Sequence, residues 1–125
     1  GGPCLPRDNR AFAACAKQLG LEYNLGQTTD NFNNEHAAFV KEYFVYRNID
    51  NLPFYLDYVS YKKGTDILTE SQQYRLCIDL LDDGYKVYIN DNDAIMDMIT
   101  NDLSDKYPDT VKFGEPDEDV YPIKF

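Results

Sequence analysis

Tryptophan is absent from the 125 residues, histidine occurs once and methionine twice. With His36 the single imidazole, any Ser-His-Asp or Cys-His catalytic system would have to pass through one residue. His36 follows a polar, turn-rich stretch and reads as a surface or capping residue. Cysteine is scarce and odd in number: Cys4, Cys15 and Cys77. No C-x₂-C or H-x₃₋₅-H pair is present, so no metal site is expected. An odd, sparse set also argues against a small disulfide-stapled secreted scaffold and for a reducing, cytoplasmic setting. Neither G-x-G-x-x-G nor G-x₄-G-K-S/T occurs, so no phosphate-cradling loop and no cofactor is expected. No run approaches the roughly 18 apolar residues of a membrane helix. The chain opens Gly1-Gly2-Pro3, with no basic stretch leading into an apolar one, and is read as lacking a signal peptide.

What is abundant is acid and tyrosine. There are 22 Asp and Glu against 12 Lys and Arg, a net charge of −10, and 11 tyrosines beside 7 phenylalanines. At 43% apolar residues the chain can build one modest core, so residues 1–125 are read as a single domain with an irregular arm over 1–7 and an acidic tail over 109–125.

Asp8 can cap a helix running to about Leu19, with Phe12, Cys15, Ala16 and Leu19 on one face and Gly20 as its stop. Residues 24–35 read as a polar loop without periodicity. The runs Phe39–Arg47 and Phe54–Tyr61 are dense in aromatic and β-branched residues and read as an antiparallel hairpin, although Phe39, Tyr43, Phe44 and Arg47 also fit a helical period. Thr69-Glu70-Ser71-Gln72 matches a capping box ahead of a helix with Tyr74, Cys77, Ile78 and Leu81 on one face. Tyr85–Ile89 alternates as a strand, Asn92 or Asp93 caps a last helix burying Ile95, Met96, Ile99 and Leu103, and the tail is extended. Asn90-Asp91-Asn92-Asp93 resembles the start of a calcium loop but fails at positions six (Met96) and twelve (Asp102). The expected architecture is an α+β two-layer sandwich in the order α-β-β-α-β-α plus tail, its sheet of three or four strands mainly antiparallel.

The charge is unevenly placed. Residues 1–69 carry eight acids and seven bases, whereas 70–125 carry 14 acids and five bases, a net −9. Asp79, Asp82, Asp83, Asp97, Asp102 and Asp105 lie off the apolar stripes of the last two expected helices, and Asp117, Glu118 and Asp119 cluster in the tail. With Tyr88 and Tyr107 they form the candidate partner-binding set, since clustered anions steer a basic partner and tyrosine suits interfaces. The function these features suggest is a small, non-enzymatic acidic protein, monomer or weak dimer. It would inhibit or regulate a basic, nucleic-acid-handling protein, in the manner of a nuclease inhibitor, an immunity or counter-defence protein, or a nucleic-acid mimic. Direct nucleic-acid binding and membrane association are not expected. The competing readings are an assembly module pairing through the aromatic hairpin strands and an enzyme with an unfamiliar carboxylate or tyrosine site.

Overall fold

The computed structural model describes residues 2–22 and 24–125. In chain order the elements are α1 (Leu5–Gln18), α2 (Leu25–Arg47), β1 (Phe54–Leu56), α3 (Gln72–Asp82), β2 (Val87–Ile89), α4 (Asp93–Lys106), β3 (Val111–Phe113) and β4 (Tyr121–Ile123).

Several of these follow local rules. Helix α1 begins three residues before Asp8, with Cys4 at its N-cap and Pro6 in the first turn, where a missing N–H costs nothing. The Ser71 side chain caps α3 by accepting the Tyr74 N–H, so the hydroxyl at work is two residues beyond the expected Thr69. Asn92 caps α4 by accepting from the Ile95 N–H. The buried stripes Leu76, Cys77, Leu80, Leu81 of α3 and Ile95, Ile99, Leu103 of α4 face one core. Burial raises the Cys77 thiol pKa far above its ordinary range, so it stays a neutral filler.

Two expectations are corrected here. Residues 24–35 are not a loop and Phe39–Arg47 is not a strand; both belong to the 23-residue α2, capped by Asn24. Without that strand there is no hairpin and no antiparallel partner for β1. The mainly antiparallel sheet is therefore also corrected: the four strands lie in the order β3-β2-β1-β4, and every pairing is parallel. The cause is connectivity. Helices α3 and α4 each carry the chain back along the sheet before the next strand, which forces parallel alignment and sets both helices on one face through right-handed crossovers.

Alternation then divides the sheet. Phe54, Leu56, Val87, Ile89, Val111 and Ile123 point into the core under the helices. Tyr55, Tyr88, Lys112 and Pro122, the middle residues of their strands, point to the other face. The return from β3 to β4 crosses that face on residues 114–120 alone. Two intervening strands set a lateral span of about 14 Å, and seven residues reach at most roughly 25 Å. The chain also runs back along the strands, and this strap bends at residues 114–115 and 117–118 as it crosses.

Helices α1 and α2 pack closely at Gly26, where a Cβ would lie 2.5 Å from the Asn9 carbonyl oxygen. Gly26→Ala should force the two helices apart and lower stability by about 1–3 kcal/mol, measured by urea denaturation; an unchanged midpoint would contradict the close approach.

Candidate functional site at the carboxyl edge of the sheet

In an open parallel sheet the ligand crevice lies outside the carboxyl ends of the strands, where strand order reverses direction. Here β1 leads to β2 and β3 on one side, while β4 sits on the other, so the reversal falls between β1 and β4. An open cavity of about 560 Å³ lies beside this edge, walled by His36, Phe39 and Tyr43 of α2, Leu76 of α3, Tyr61 after β1 and Phe125 after β4. Gln72, Gln73 and Asp79 supply polar atoms in a mainly apolar wall. Tyr61 is braced against the Gly2 backbone, where a Cβ would meet its ring at 2.7 Å.

The connection from β1 to α3, residues 57–71, is held by a small set of polar side chains. Asp91, just after β2, accepts hydrogen bonds from the Val59 and Ser60 amides, each at 2.8 Å, and from the Asn92 amide at 2.8 Å. Ser71 donates to the Val59 carbonyl at 2.6 Å. Asn92 donates to the Thr65 carbonyl at 3.2 Å, and the Tyr61 amide donates to the Ile67 carbonyl at 2.7 Å. These bonds position Tyr61 and leave the following Lys62 exposed, with no ion pair among the described residues. The carboxylate that resembled a metal ligand in sequence is therefore a backbone clamp. Among the described residues no group of three or more His, Cys, Asp or Glu could hold a metal ion.

A dinucleotide cofactor would place its pyrophosphate at a short glycine-rich turn between the first strand and its helix. This connection is long, its one glycine, Gly64, lies well before α3, and the helix N-terminus is already capped by Ser71. The residues present do not fit that group.

The sequence-selected acids are dispersed into separate contacts. Asp79 lies 3.9 Å from Arg75 and also on the cavity wall. Asp83 pairs with Lys41 at 2.7 Å. Asp82 faces Lys106 at 3.4 Å and accepts from the Tyr107 hydroxyl at 2.5 Å, a hydrogen bond that holds its pKa below the ordinary value. Asp97, Asp102 and Asp105 lie on α4 and Asp119 on the strap, without an ion pair among the described residues.

Asp117 and Glu118 are drawn onto the sheet. The Tyr88 hydroxyl lies 2.8 Å from Asp117 and 2.7 Å from Glu118, and Lys86 pairs with Glu118. Glu115 accepts from Tyr55 at 3.0 Å and from Asn90 at 2.8 Å. The Tyr88 hydrogen bond lowers the Asp117 pKa, and Lys86 followed by Tyr88 lowers that of Glu118. The same carboxylates raise the pKa of Tyr88 well above a normal phenol. Because both acids titrate lower when folded, their contribution is complete above the ordinary values of 3.8 and 4.5 and fades as pH falls through the lowered ones. Acidification below about pH 4 should therefore detach the strap before the core unfolds, read as selective shifts of the Tyr55 and Tyr88 ring resonances. Simultaneous loss of all aromatic signals would contradict it.

The cavity residues Phe39, Tyr43 and Phe125 were not among the candidate binding residues read from the sequence. For Phe39 and Tyr43 the visible signal was the recurrence of aromatics along 32–46 at helical spacing, obscured because that stretch also read as loop and strand. Among the described residues no helix is long and apolar enough to cross a membrane.

No protein-family model and no curated protein matches the chain. Solved structures do match in fold. A UDP-glucose dehydrogenase from the hyperthermophilic archaeon Pyrobaculum islandicum superposes with TM-score 0.70 at 24% identity over 93% of this chain and 26% of its own. A ternary complex of GDP-mannose dehydrogenase from Pseudomonas aeruginosa gives TM-score 0.68 at 24% identity over 91% and 27%. The chain thus spans about a quarter of the length of these structures. The expectation of a non-enzymatic inhibitor or nucleic-acid mimic is corrected by these matches: the fold is one used by dehydrogenases, and Asp79, Asp82, Asp83 and Glu118 are paired with cations within the molecule.

Proposed function

We propose that this chain forms the substrate-side part of a dehydrogenase acting on nucleotide sugars, with the base held in the cavity beside the β1/β4 edge. The observation that carries the reading is the coincidence of an aromatic cavity with the strand-order reversal of a parallel sheet. A volume of about 560 Å³ lies within the range of small-molecule sites, and Phe39, Tyr43 and Tyr61 offer ring faces to a planar base. Lys62, exposed next to Tyr61, supplies a cation for the diphosphate. The fold match to a UDP-glucose and a GDP-mannose dehydrogenase supports this substrate class. Oxidising the sugar also needs a hydride acceptor, which this chain's own first strand-to-helix connection does not accommodate; its share of the work is to bind and orient. Free thiols at Cys4, Cys15 and Cys77 support a cytoplasmic setting.

Titration with UDP-glucose and GDP-mannose tests the reading. The absence of tryptophan makes tyrosine emission the direct optical probe, with calorimetry as a second readout. Saturable binding of one ligand is expected, weakened about tenfold or more by Tyr61→Ala through loss of ring stacking and made less salt-sensitive by Lys62→Ala. Flat titrations with both ligands would overturn it.

A further inference from the structure

The polar side chains on the cavity wall are not equally engaged. Gln73 accepts from the Ser71 hydroxyl at 3.2 Å and donates to the Tyr58 hydroxyl at 3.3 Å. Arg75 donates to Asn34 at 2.8 Å and approaches Asp79 only to 3.9 Å, beyond hydrogen-bond distance. Both carboxylate oxygens of Asp79 are therefore left without a hydrogen-bond donor among the described residues, on a wall that is mainly apolar. The packing of α2 on α3 fixes the place of this group. Asn34 meets Arg75 and Lys41 meets Asp83, so the two helices run side by side in the same direction. In that register Asp79 stands level with residues 37 and 38. There the rings of His36, Phe39 and Tyr43 follow one another along the same cavity, with centroids 6.5 and 6.4 Å apart.

We infer that Asp79 reads the base of the bound nucleotide and selects guanine over uracil. This rests on the nucleotide-sugar reading of the cavity and names the base within it. A carboxylate accepts hydrogen bonds and donates none. Guanine presents two adjacent donors on one edge, N1–H and the 2-amino group, which meet the two oxygens of one carboxylate as a bidentate pair. Uracil presents a single N–H between two carbonyl oxygens, so a carboxylate that takes this N–H faces an oxygen lone pair on either side. Adenine and cytosine each set a ring-nitrogen acceptor beside their amino donor and match only half of the pair. The apolar wall sharpens the choice. A base that displaces water from Asp79 without satisfying it leaves the carboxylate desolvated and unpaired, which is costly. The direction of the cavity agrees. Asp79 lies two turns beyond Gln72, about 10 Å along α3. Tyr61 and Lys62 belong instead to the connection that Ser71 ties to the first turn of α3. The diphosphate is thus held at Lys62, and the base rather than a phosphate meets the Asp79 carboxylate.

Calorimetric titration of the chain with GDP, IDP and UDP, which differ in the base alone, tests this. GDP should bind at least about tenfold more tightly than UDP, and IDP, which lacks the 2-amino group, about tenfold more weakly than GDP. Asp79→Asn turns one acceptor into a donor; it should weaken GDP about 10–100-fold and change UDP by about threefold at most. Arg75→Gln removes the ion pair to Asp79 while keeping an amide donor for Asn34, and should retain the preference for GDP. Circular dichroism should show both variants folded, since the two side chains are partly exposed on the helix surface. Saturable binding of none of the three nucleotides overturns the nucleotide reading itself. UDP binding within about tenfold of GDP leaves that reading standing and overturns the choice of base. So does an Asp79→Asn that weakens GDP and UDP alike. Loss of the preference in Arg75→Gln as well would assign it to helix packing and overturn the role of Asp79.

Discussion

Replacing Phe54 with alanine should destabilise the protein by about 3–5 kcal/mol, enough to unfold a large fraction of a marginally stable domain of this size. Phe54 is fully buried at the start of β1, the strand flanked by both β2 and β4. Its ring meets Tyr85 and Tyr121 edge-on, with centroids 5.5 and 5.8 Å away. Truncation removes the transfer free energy of the ring and both aromatic contacts, and three-residue strands have few other contacts with which to close the cavity. Guanidinium denaturation followed by far-ultraviolet dichroism measures the loss, and Phe54→Leu should recover more than half of it. A cost below about 1 kcal/mol for Phe54→Ala would mean that this site is not tightly packed.

The second large effect is expected at Asp91. Asp91→Ala leaves the amides of Val59 and Ser60, both fully buried, without their acceptor, along with that of Asn92. Stranding buried donors costs roughly 1–3 kcal/mol apiece where water cannot reach them, so a loss near 3 kcal/mol is expected. Asp91→Asn keeps one carbonyl oxygen and should lose about half as much. The consequence extends to the site. Once Val59 and Ser60 are released, Tyr61 loses its fixed place on the cavity wall, so ligand affinity should fall at temperatures where the domain remains folded. Amide hydrogen exchange at Val59 and Ser60 reports the release directly; unchanged protection there would show that Asp91 is not their anchor.

Much of the secondary structure was legible because its signals were local. The α4 stripe, the Cys77 and Leu81 half of the α3 stripe (Leu76 and Leu80 replace the expected Tyr74 and Ile78 as its fully buried members), the Asn92 cap and the Gly20 stop each depend on neighbours within a few residues. Helix α2 was not legible for a reason also found in its residues. An element apolar on two faces has no single amphipathic period, so its polar first half resembled a loop and its aromatic second half a strand. That misreading carried into the sheet, because a strand at 39–47 would have supplied an antiparallel partner for β1. The acidic excess was also visible, but not its use. Glu115, Asp117 and Glu118 look like a solvated anionic run until β3 and β4 are placed two strands apart, which draws the strap across Tyr55, Tyr88, Asn90 and Lys86.

Composition and local spacing by themselves determined that the chain builds one apolar core, that its later helices end where they do, and that no glycine-rich phosphate loop is present. Only the tertiary structure decided that the strands run parallel, that Asp91 clamps a backbone loop, and that Phe39, Tyr43, Tyr61 and Phe125 surround one cavity. Turns and caps are settled by atoms a few bonds apart. Strand direction and cavity walls are settled by which distant segments share a core, and residues 39 and 125 become neighbours only after the sheet has closed between them.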